Sequence, residues 1–118
     1  MAGTIVADTL THSTAGSIAT NYVVEGSAKA WGNTSADGTT IDDSFNIASL
    51  TDTGTGQQQP FFTSSMSNAH YAVELNVTSN INQTWCQNIA TGSFVSKSYT
   101  GSAFEDREHL TTVHGDLA

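Results

Sequence analysis

In Tyr71–Val77 the apolar side chains Tyr71, Val73, Leu75 and Val77 alternate with Ala72, Glu74 and Asn76. A period of two sends alternate residues to opposite faces of a pleated strand, so this stretch predicts a strand with one buried face. Such a face needs partner strands to cover it, and the rest of the chain supplies candidates.

Asp43–Thr63 reads as two short strands joined by a glycine-punctuated turn. Phe45 and Ile47 alternate with Ser44 and Asn46, which places Phe45 and Ile47 on one face as a core nucleus. In Asp52-Thr53-Gly54-Thr55-Gly56 the glycines take positive φ at no steric cost and the Asp side chain bonds its own turn. A phosphate cradle would need a helix to open next, and Gln57-Gln58-Gln59-Pro60 cannot open one, because Pro60 breaks it within a turn.

Along the chain, Met1–Thr20 is polar, and its Ile5, Val6, Leu10 and Ile18 are too sparse for a helix face. It is expected to be an extended arm or a disordered tail. Asn21–Trp31 suggests strand, turn, strand, from Tyr22-Val23-Val24 and Gly26-Ser27. Trp31 is then a core or subunit-interface anchor, with sugar stacking as a secondary reading. Gly32–Thr40 is a loop carrying the hairpin signal Asp37-Gly38, and Ile41 restarts the pattern. Pro60 moves its strand to an edge or shortens it, since proline lacks the ladder donor. Asn80–Ala90 continues in β with Ile81, Trp85 and Ile89; their spacing of four admits a short helix, which Thr and Asn disfavour. Phe94–Thr100 is a strand, Gly101–Glu108 a charged loop and Leu110–His114 a last strand. The expected fold is all-β: an antiparallel β-sandwich of about six to eight short strands, comprising residues 21–118 after an arm at residues 1–20.

Several of these strings resemble a module of bacteriophage tail-fibre proteins, particularly those of marine and cyanobacterial phages. They are Glu25-Gly26-Ser27-Ala28-Lys29-Ala30-Trp31, then Asp43-Ser44-Phe45-Asn46, then Thr51-Asp52-Thr53-Gly54-Thr55-Gly56, with Met66–Val73 and Val113-His114-Gly115-Asp116 further on. Gln58 and Pro60 depart from that pattern, where the family tends to an aromatic and a β-branched residue. The resemblance implies a homotrimer on a virion and no catalytic chemistry.

Composition agrees with an assembling module and excludes several functions. Only 37% of the 118 residues are hydrophobic, so a core built from one chain is marginal. The net charge is −8, and the three bases Lys29, Lys97 and Arg107 are scattered, which argues against nucleic-acid binding. No apolar run is long enough to cross a membrane, and Met1–Leu10 lacks the features of a signal peptide. The expectation is a soluble protein without membrane insertion that leaves a cell by lysis. Cys86, the one cysteine, reads as a small buried hydrophobe rather than a reactive thiol, having no basic neighbour.

No set of residues makes a convincing catalytic or metal centre. Asp42 and Asp43 are adjacent and point to opposite faces of a strand. His109 and His114 lie near Glu105, Asp106 and Glu108, but the spacing fits no zinc motif, and both read as surface histidines. No G-x-S-x-G elbow is present. The expectation is a protein that is not an enzyme and has no cofactor. The candidate binding residues are Trp85, Tyr99, Asp37 and Arg107, for a host-surface glycan or protein contacted largely through loops. The candidate assembly residues are Ile5, Leu10 and Trp31. A tail-fibre-like module fits these expectations, and so does a capsid decoration, head-fibre or tail adaptor protein attached to other virion proteins through the arm. A chain running from Met1 to just past the last strand is expected to be held by another protein.

Overall fold

The computed structural model describes residues 3–118 and shows an antiparallel β-sandwich preceded by a small hairpin-helix unit. The unit consists of β1 (Thr9–His12), β2 (Gly16–Ala19) and α1 (Thr20–Gly26). In the sandwich, β3 (Ala30–Thr34), β4 (Ile41–Phe45), β7 (Ala72–Val77) and β10 (His109–His114) form the first sheet, in the order β4-β3-β10-β7. The second sheet contains β5 (Ile47–Gly54), β6 (Gln57–Phe62), β8 (Gln83–Ala90) and β9 (Ser93–Tyr99), in the order β5-β6-β9-β8. Every pairing is antiparallel. No helix among the described residues is long and apolar enough to cross a membrane.

One half of the space between the sheets is apolar. Phe62 lies 5.7 Å from Tyr71 and 5.9 Å from Phe94, ring centre to ring centre, and Ala30, Met66 and Val113 complete the cluster. The alternation in Tyr71–Val77 does what its period predicts: Tyr71 and Val77 are buried, Val73 and Leu75 half-buried, and the intervening residues exposed. Cys86 packs against this core, and burial pushes its thiol up to about 11, so it is an inert filler.

The other half is polar. His109 is 1% exposed, and its Nδ1 sits 2.7 Å from Ser96 Oγ, with Nε2 3.3 Å from Ser98 Oγ. Ser98 donates its own proton to the Glu105 carbonyl at 2.6 Å. It therefore accepts from Nε2–H, which leaves Nδ1 to accept from Ser96. The imidazole is satisfied while neutral, and burial pulls its pKa down to about 4, opposed by Asp106. Beside it Gln58 is 2% exposed; its Oε1 accepts from Thr34 Oγ1 at 2.5 Å and its Nε2 donates to the Ser35 carbonyl at 2.6 Å.

Four expectations are corrected here. His109 is not a surface histidine, because β10 turns His109, Thr111 and Val113 inward and leaves Leu110 half-buried on the outer side. Phe45 and Ile47 do not share a face: Asn46, at φ 58°, takes the chain from the first sheet to the second, so Phe45 is 54% exposed and Ile47 8%. Asn46 fixes that corner by donating Nδ2 to the carbonyls of Lys29 and Ser64 and accepting from Ser64 N–H. Pro60 does not lie on an edge strand, since β6 is flanked by β5 and β9. Its β9 pairing runs through Gln57, Gln58 and Phe61 and skips Gln59 and Pro60, so the missing donor falls in a gap of the ladder. Tyr22-Val23-Val24 is helical in α1, not a strand.

Candidate functional site

Three surfaces gather the apolar and aromatic residues singled out in the sequence, and two loops carry Asp37 and Arg107. The first is the hairpin-helix unit. It is tied together by Thr20, whose N–H donates to the Asp8 carbonyl and whose Oγ1 donates to the Ala7 carbonyl at 2.6 Å. At its far end Lys29 donates Nζ to the carbonyls of Val24 and Ser27, placing a cation at the negative end of α1. No side chain from Gly3 to Ser27 is buried. Ile5, Val6, Leu10, Val23 and Val24 instead line an open apolar groove of about 440 Å³. Ile5 is 90% exposed and Val6 92%. The structure thus brings the two arm residues Ile5 and Leu10 together, while Trp31 lies apart from them on β3.

The second surface is the outer face of the second sheet. Trp85 pairs with Lys97 across β8 and β9, and Gln83 with Tyr99, so Trp85 and Tyr99 stand on the same side. Their ring centres are 6.3 Å apart, and Phe104 closes over both at 5.8 Å and 5.3 Å. Lys97 Nζ lies 5.3 Å from the Phe104 ring centre, a cation over an aromatic face. Phe104 and Lys97 were missed in the sequence. Lys97 shares the face of Tyr99 two residues on, which the period of two makes legible; Phe104 belongs to a loop, where no period operates. All three rings are half-buried against one another, so this cluster anchors the 100–108 loop more than it offers open ring faces.

Asp37 and Arg107 lie on loops joined by Gln58, whose Nε2 reaches the Ser35 carbonyl and, at 3.4 Å, that of Arg107. Asp37 is engaged by its own turn: Oδ1 accepts from Ser35 Oγ, Thr39 Oγ1 and Thr39 N–H. Those hydrogen bonds, led by the one from Ser35, hold its carboxyl below the ordinary range. Arg107 pairs with Glu105 at 2.5 Å. Asp37 and Arg107 are thus held by partners in their own loops, while Trp85 and Tyr99 belong to the aromatic cluster on the second sheet.

The third surface is the outer face of the first sheet around Trp31. The core alternative for Trp31 is corrected: it is 40% exposed, because Gly32, Thr111 and Val113 occupy the inward positions of that sheet. Among the described residues no three His, Cys, Asp or Glu side chains gather as a metal site. Compared with protein-family models, curated proteins and solved structures, the chain matches none.

Proposed function

We propose that the chain is a structural protein of a bacteriophage virion, a tail-fibre-like β-module that forms a homotrimer and binds the host cell surface. No reaction or cofactor is assigned to it. The observation that carries the reading is the uncovered apolar groove of the hairpin-helix unit. A two-stranded hairpin and a seven-residue helix rich in β-branched residues are each marginal in water, and here they bury nothing of their own. Such a unit gains stability when a partner covers Ile5, Leu10 and Val23, which is the behaviour of an assembly element.

A second reading is supported by the same separation of arm and sandwich. A decoration, head-fibre or tail adaptor protein would use the arm to grip another virion protein and leave the sandwich outermost. Light scattering on the full chain distinguishes the two. The fibre-like reading predicts a particle of three times the 12.4 kDa chain mass. A monomer at all concentrations would overturn it in favour of a subunit whose assembly is imposed by the surface it decorates.

A further inference from the structure

The outer face of the first sheet carries two cross-strand rows in register. Trp31, Thr112 and Glu74 form one, and Asn33, Leu110 and Asn76 the next. With the backbone between them they line an open concavity of about 510 Å³. Two strand spacings by one two-residue step give a footprint of about 10 Å by 7 Å, the scale of a disaccharide. We propose that this concavity is a binding subsite for neutral saccharides, with the Trp31 ring against the C–H face of a pyranose and Asn33, Asn76, Glu74 and Thr112 taking its hydroxyls. The assignment goes beyond the virion reading and stands without it.

The chemistry of the rows selects this occupant. A pyranose offers an apolar face and a rim of hydroxyls, and the concavity offers a broad indole beside two amides, a hydroxyl and a carboxylate. Asn33 Oδ1 is buried and without a hydrogen-bond partner among the described residues, so it accepts from a sugar hydroxyl once the amide turns outward into the concavity. The charge is one-sided: Glu74 lies in the concavity, Asp43 pairs with Asn33 at its edge, and no Lys or Arg lines it. That disfavours sialylated or sulfated sugars. It also disfavours a second copy of the chain, because burying Glu74 against protein calls for a cation. All three Lys and Arg side chains are engaged elsewhere: Lys29 on carbonyls, Lys97 against Phe104, Arg107 with Glu105.

The two tryptophans allow a clean test. In a Trp85→Phe chain, Trp31 is the one indole, and its N–H resonance and emission report on the concavity alone. The probes are lactose, maltotriose and tri-N-acetylchitotriose, with sialyllactose as the charged counterpart of lactose. The expected result is a saturable shift of the Trp31 indole with at least one neutral probe at millimolar concentration, weakened about tenfold by Asn33→Ala or Asn76→Ala. Trp31→Ala abolishes binding in the Trp85-containing chain while the melting temperature and circular dichroism are retained. An indole unmoved by every neutral probe at about 20 mM, well above the millimolar range of weak sites, overturns the proposal. So does a shift that survives both Asn variants, or one that sialyllactose produces as strongly as lactose. A Trp31 signal that changes with protein concentration instead of sugar would assign the face to self-association and overturn it as well.

Discussion

The hairpin-helix unit and the sandwich are built from the same polar, hydroxyl-rich alphabet and reach opposite outcomes. The sandwich encloses Phe94, Met66 and Val113 almost completely, whereas the unit leaves Ile5, Val6, Tyr22 and Val24 facing outward. The molecule extends 52 Å in its longest dimension, with a radius of gyration of 16.7 Å. A compact domain of this length has a radius of about 13.5 Å. In a chain poor in apolar residues, stability comes from closure. Two facing sheets can close over a few large side chains and fill the rest with bonded polar groups, but a hairpin and one short helix cannot.

That contrast is broken most severely from inside the sandwich. Phe94→Ala removes the ring at the centre of the apolar half and is expected to cost about 3–5 kcal/mol in urea unfolding. Gly56→Ala is expected to cost about 3 kcal/mol. Gly56 has φ 65°, and an added Cβ would meet the Ser98 carbonyl oxygen at 2.7 Å and Glu105 backbone at 2.8 Å. Acid reaches the polar half: His109 is held at about 4 when folded, against 6.5 in the unfolded chain. Its contribution is complete above pH 6.5, declines as the pH falls toward 4, and is lost below that, for a total of about 3 kcal/mol. Urea titrations of the native chain and of His109→Gln across this window should differ in slope, the variant lacking this part of the decline. In the arm, Leu10→Ser is expected to change the unfolding free energy of the sandwich by less than about 0.5 kcal/mol. Its effect should fall on the particle mass instead, so one set of variants sorts the two regions.

How legible these regions were in the sequence depended on whether the pattern of apolar residues was the pattern of burial. In Tyr71–Val77 it was, and the strand and its inner face followed. In β10 it holds only at Val113, since His109 and Thr111 share the inner face with Val113 while Leu110 does not. No reading of polarity predicts a buried imidazole whose partners, Ser96 and Ser98, lie on a different strand and a different sheet. Phe45 failed for a local reason, one left-handed residue at Asn46 that interrupts the alternation. Pro60 failed for a tertiary one, a gap in the ladder that only pairing with β9 creates. The α1 residues Tyr22, Val23 and Val24 favour a strand by propensity, and the carbonyl contacts of Lys29 at the helix end are a tertiary feature that local preference does not encode. Trp85 and Tyr99 stand out singly in the sequence as aromatics, but their pairing across β8 and β9 is tertiary, and their enclosure by Phe104 comes from a loop whose course the sequence does not specify.

The most direct measurement is backbone hydrogen exchange of the full chain at high and at low protein concentration. If the arm is the assembly element, amides of Thr9–Gly26 are protected in the concentrated sample and exchange freely on dilution, while those of His109–His114 hold the same protection in both. Arm amides equally protected at every concentration, or dilution-sensitive protection in β3 and β4 instead, would contradict that division of labour.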